Sequence, residues 1–185
     1  MIMGSCHSPV KRGDGLNMAE CKKILVLGCP GSGKSTFSRK LHEITGIPLT
    51  HLDNVWWKPD GTHISREEFD LKLSALMGAD EWILDGDYSR TYEVRIRACD
   101  TAVLLDIGTD ECLSGIRDRI GQERPDMPWM ETEPDPELED MVKRYGNENR
   151  PRLLSLLNEH PEKRIIILKT RKETDDFLNS ARNRL

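Results

Sequence analysis

Residues 28–36 read GCPGSGKST, a glycine-rich turn set directly after the short apolar run KKILVLG (Lys22 to Gly28) and directly before a segment carrying Phe37, Leu41 and Ile44 at helical spacing. A short apolar run closed by glycine reads as a buried parallel strand, and the spacing that follows reads as an amphipathic helix. Gly28, Gly33, Lys34 and Ser35 match G-x-x-x-x-G-K-[ST]. Glycines let the backbone wrap closely enough for successive amides to point inward at a phosphate chain, and the helix adds its positive N-terminal end. The expected cradle for ATP is Gly28, Gly31, Ser32, Gly33, Lys34, Ser35 and Thr36. Lys34 would reach the β and γ phosphates, and the Ser35 hydroxyl would ligate Mg²⁺. Cys29, inside the loop, reads as a small spacer.

Four more short apolar segments follow: Pro48 to Asp53, Trp82 to Asp85, Thr101 to Asp106 and Arg164 to Lys169. Helical or loop sequence separates them. Ser65 with Glu68 forms a capping box before a helix carrying Phe69, Leu73 and Leu76. Strands alternating with helices predict an α/β fold, a five-stranded parallel sheet with helices on both faces. At 185 residues and 37% hydrophobic content, one domain with a real core is expected over 21–185, preceded by a disordered leader, 1–20.

No apolar run approaches the ~20 residues of a bilayer span, so no membrane partner is expected. Five cysteines without a C-x-x-C pair fit neither a disulfide framework nor a zinc site, and a reducing cytoplasm suits them. The five histidines show no metal-ligand spacing either. Composition breaks once, at Asp126 to Asp140, which holds seven acidic residues, three prolines and no base. Without those acids the net charge of −5 becomes +2. A lid-like insertion is therefore expected over about 122–145.

WILDGDYSR (Trp82 to Arg90) resembles the adenylate-kinase signature, with Ser89 where that signature has proline, and LLDIGTDECLSGIRDRIGQER continues the likeness. The chain is also similar to the adenylate-kinase-like group labelled topology modulation proteins, at LDNVWWK, DGDYSRT and the RPRLLSLL run. This resemblance implies a P-loop kinase of the nucleoside monophosphate kinase type. It implies that Asp85 holds a water of the Mg²⁺ shell, with Asp106 a second candidate, and that Arg90 grips an acceptor phosphate with Arg95 and Arg97 nearby. It further implies that Arg119 opens the lid and stacks on the base, while Arg144 and Arg150 return toward the phosphates.

Asp53 ends the second strand, a position that faces the acceptor side in related folds, and is followed by Trp56 and Trp57, with Tyr88 nearby in the signature. A carboxylate there can accept a proton from a hydroxyl. It equally reads as a turn cap, and the tryptophans as core. Lys34, Asp53, Arg119, Arg144 and Arg150 are the expected catalytic set.

The preferred reading is an ATP-dependent phosphotransferase acting on a nucleoside monophosphate. The alternative is a kinase for a hydroxyl-bearing metabolite with Asp53 as base, and a further one is a nucleotide-gated regulatory or DNA-associated protein. No N-K-x-D guanine motif is present, and a sequence pI of about 5.6 argues against a nucleic-acid partner.

Overall fold

A computed structural model describes residues 20–183. The expected leader, with Cys6 and His7, lies outside them apart from Glu20. All five strands form and pair in parallel: β1 (Lys23–Gly28), β2 (Leu49–His51), β3 (Trp82–Asp85), β4 (Thr101–Leu105) and β5 (Arg164–Leu168), in the spatial order β2-β3-β1-β4-β5.

The helices are α1 (Lys34–Thr45), α2 (Leu52–Trp56), α3 (Arg66–Met77), α4 (Tyr92–Ala98), α5 (Thr109–Arg117), α6 (Pro136–Tyr145), α7 (Asn149–Asn158) and α8 (Arg171–Arg182). Strand side chains alternate between two apolar layers. Ile24, Val26, Val103 and Leu105 pack with Phe37, Leu41, Ile116, Val142 and Leu178. Leu25, Leu27, Leu84 and Leu104 pack with Phe69, Leu73, Ile96 and Leu153. Both faces are covered, so the strands could afford near-continuous apolar sequence.

Caps set the helix ends. Gly46, left-handed at φ 73°, donates its N–H to the carbonyl of His42 and closes α1. The Ser65 hydroxyl accepts the Glu68 N–H at 3.1 Å, as the capping box requires. No helix among the described residues is long and apolar enough to cross a membrane, and Cys29, Cys99 and Cys112 are buried thiols.

Two boundaries differ from expectation. The second strand stops at His51 because the chain turns into α2 at Leu52, so Asp53 sits in the first turn of a short helix and not at a strand end. The proline-rich acidic stretch is not one insertion. Its second half is α6, which starts at Pro136 under an Asp135 cap and buries Val142 and Tyr145 in the core. Only 118–135 is irregular chain over the carboxyl ends of the strands.

β1 lies between β3 and β4, and the chain departs to opposite sides of it. The crevice beyond the carboxyl ends of these three strands is where an open parallel sheet binds ligands.

Candidate active site

The phosphate loop leaves β1 through Gly28, Gly31 and Gly33, at φ 143°, 78° and 92°. Close approach adds to the backbone requirement. A Cβ at Gly31 would lie 2.1 Å from the Cys112 carbonyl oxygen, and one at Gly33 would lie 2.1 Å from the Arg171 guanidinium. Arg171, at the start of α8, donates to the carbonyls of Ser32 and Gly31 and so ties the loop to the far end of the chain. Lys34 donates to the Cys29 carbonyl at 3.0 Å across the loop. Its ammonium is thus held at the cradle with no carboxylate ion pair among the described residues.

Asp85, 3% exposed, ends β3. Its Oδ2 accepts from Nδ1 of His51 at 2.8 Å, and the carboxylate fixes the tautomer with the proton on Nδ1. His51 and Asp85 are register partners at the ends of β2 and β3. Oδ1 of Asp85 is buried and has no hydrogen-bond partner among the described residues. An orphaned carboxylate oxygen in the same cleft as the Ser35 hydroxyl fits a hydrated Mg²⁺ accompanying a nucleotide.

Asp53 lies across the cleft and accepts the Tyr88 hydroxyl at 2.8 Å. Burial pushes its carboxyl above the usual range, and the Asp85 charge adds to this against the pull of Lys34. Asp87, pushed up by burial in the same way, accepts from the Tyr92 hydroxyl.

The 118–135 segment covers these groups. Arg119 pairs with Glu131, whose other neighbour is Arg124 at 3.2 Å. Arg124 also binds Asp126 at 2.6 Å. Burial alone would raise the Asp126 carboxyl. The hydrogen bonds and charge of Arg124 outweigh it and, with the Ser35 hydroxyl, hold it down at about 2. Asn54 of α2 donates to the Pro125 carbonyl at 2.8 Å, and Trp129 meets Trp57 edge to face at 6.0 Å.

These groups line one cleft of about 810 Å³. It brings together Gly31, Gly33, Lys34, Ser35, Thr36, Asp53, Trp57, Asp85, Tyr88, Arg119 and Arg144. Gly28 and Ser32 belong to the loop and do not line the cleft, Ser32 being fully buried.

Four expected residues are elsewhere, each for a physical reason. Arg95 is 0% exposed and donates to the carbonyls of Gly86, Asp87 and Tyr88 at 2.7, 2.9 and 3.0 Å, so it holds up the signature loop from beneath. Burial lowers its pKa to about 10. Arg90 points outward and grips Asp70 of α3 with both nitrogens, at 2.9 and 2.6 Å. Arg150 binds both oxygens of Asp106, at 2.6 and 2.8 Å, which also removes Asp106 as a metal candidate. Trp56 stacks on His63 at 4.4 Å and packs against Phe69 in the core, leaving Trp57 as the indole in the cleft.

Asp87, Asp126, Trp129, Arg39 and Arg171 join the site without having been singled out in the sequence. Asp87 alone had a local signal, two residues beyond Asp85 in DGDY.

No family model and no curated relative matches the chain. Solved structures do. Shikimate kinase from Acinetobacter baumannii, in complex with shikimate, superposes with a TM-score of 0.60 at 18% identity, over 88% of this chain and 92% of that one. Shikimate kinase from Bacteroides thetaiotaomicron gives 0.60 at 15% identity, over 86% and 96%. A sugar kinase from a Janibacter species gives 0.52 at 18%, over 87% and 92%. The chain shares the fold of these structures, a five-stranded parallel sheet with helices. At these identities the likeness is one of architecture, and one fold hosts many activities, so function has to be argued from the cleft.

Proposed function

We propose that the protein is an ATP-dependent phosphotransferase whose acceptor is a small hydroxyl-bearing metabolite, with Asp53 as the base. The observation that carries this reading is the position of Asp53. It is a carboxylate of raised pKa, held by Tyr88, in the same cleft as Lys34, Ser35 and Asp85. A base poised above the usual carboxylate range takes a hydroxyl proton more readily than an ordinary Asp.

ATP would lie with its phosphates on the amides of residues 28–36 and on Lys34. Ser35 and Asp85, the latter through water, would hold Mg²⁺, which neutralises charge on the phosphate oxygens when bound. The acceptor hydroxyl gives its proton to Asp53 as its oxygen bonds the γ-phosphorus. The bond from that phosphorus to the β-bridging oxygen breaks, and ADP carries off the electron pair. Lys34 and the Arg119 and Arg144 guanidiniums supply positive charge around the transferring group. The 118–135 segment excludes water, which limits ATP hydrolysis.

A nucleoside monophosphate acceptor is supported less, because its phosphate needs a cation and Arg90 is committed to Asp70 on the outer surface. The likeness to topology modulation proteins adds no substrate. The test is Asp53→Asn, which keeps the size and removes proton acceptance. Turnover of a hydroxyl acceptor should fall on the order of 100-fold or more with nucleotide binding unchanged. Wild-type turnover in that variant would overturn the assignment.

A further inference from the structure

The acceptor end of the cleft has a chemistry of its own. Resting on the hydroxyl-kinase reading above, we infer that the acceptor is an uncharged polyhydroxyl compound, carbohydrate-like, held between Asp53, Tyr88 and the indoles of Trp57 and Trp129.

Charge is the first argument. The cleft cations belong to the nucleotide side. Lys34, Arg119 and Arg144 surround the transferring phosphoryl group in the reading above, Arg39, whose Nε donates to the Ser35 carbonyl, sits on the phosphate-loop helix, and Arg124 is bound by Asp126 and Glu131. The two arginines that could have faced an anionic acceptor, Arg90 and Arg95, are turned to Asp70 and to backbone carbonyls. Asp53 and Asp87 line the same cleft. A carboxylate or phosphate on the acceptor would meet like charge there in a partly desolvated site, where repulsion is poorly screened. An ammonium would instead pair with Asp53 and quench the base.

Shape is the second argument. Trp57 and Trp129, with ring centroids 6.0 Å apart and planes nearly perpendicular, both line the cleft. Aromatic faces beside carboxylate and hydroxyl groups suit a ring or chain with C–H on one side and O–H on the other. The Trp129 N–H is buried and has no acceptor among the described residues.

The test is ADP release with Mg²⁺ and ATP across neutral aldoses and polyols of three to six carbons. Each is run beside the sugar acid and the amino sugar of the same skeleton, with nucleoside monophosphates as a separate arm. A neutral member should show kcat/KM at least tenfold above its charged counterparts. Trp57→Leu should raise its KM tenfold or more while the KM for ATP holds, and Trp57→Phe, which keeps an aromatic face, should recover most of that loss. A sugar acid or amino sugar turned over as well as its neutral partner overturns this inference while leaving Asp53 as base. Turnover confined to nucleoside monophosphates overturns both. No turnover of any neutral compound also overturns it.

Discussion

Nδ1 of His51 lies 2.8 Å from Oδ2 of Asp85, at neighbouring strand ends, and leaves Oδ1 of Asp85 as a buried acceptor with no partner among the described residues. His51 is thus a positioning residue for the oxygen assigned to the Mg²⁺ shell. His51→Asn can offer an amide N–H to the same oxygen and should retain most of the affinity for Mg²⁺ in nucleotide-dependent turnover. His51→Leu should raise the Mg²⁺ requirement tenfold or more with the acceptor KM unchanged. Equal Mg²⁺ dependence in both variants would refute the role.

Lys34→Ala removes a charge whose side-chain hydrogen bond goes to the Cys29 carbonyl across the phosphate loop. Melting should be close to wild type, whereas phosphoryl transfer should be lost. Titration with a non-hydrolysable ATP analogue and circular dichroism measured on the same sample would separate the two effects.

Asp53 carries a stability cost along with its chemistry. Its folded pKa is raised, so the ionised form is penalised in the folded state at pH values above that pKa, and the penalty disappears as pH falls below the unfolded value. Asp53→Asn should therefore melt higher than wild type at pH 7, with the difference shrinking as pH drops through the carboxylate range. A variant that melts lower at pH 7 would contradict this sign.

The two signature arginines should separate cleanly. Arg90–Asp70 is an exposed pair, so Arg90→Ala should cost about 0–1 kcal/mol in denaturant unfolding and leave both Michaelis constants intact. Arg95→Met strips three close donors from buried carbonyls and should cost about 3 kcal/mol or more. A raised acceptor KM in Arg90→Ala would restore a phosphate acceptor.

Asp126 behaves oppositely to Asp53. Its pKa is held down at about 2, so it stabilises above the ordinary carboxylate range and that contribution is lost as pH falls through about 2. Asp126→Asn should loosen the segment from Ser35 and Arg124, and amide exchange over residues 119–131 should speed up at pH 7. Unchanged exchange would show that the ion pair does not hold the segment down.

Local rules made much of this protein legible from its sequence. Apolar runs of strand length ending at a glycine or a carboxylate, helical spacing between them and the spacing of Gly28, Gly33, Lys34 and Ser35 depend on neighbours within a few residues. The five strands and the phosphate loop follow from them. Tertiary structure decided which charges were left over for function. Arg90, Arg95 and Arg150 look alike in sequence, each an arginine near a motif. Asp70 lies 20 residues from Arg90, and Asp106 lies 44 residues from Arg150. Arg95 was taken up by the backbone it supports. Asp126 has Arg124 two residues before it, yet it reads as one acid in a solvated run until the fold buries it beside Ser35. An ionisable side chain is defined by its partner and its burial, and for Arg90, Arg95, Arg150 and Asp126 the deciding part comes from the folded packing.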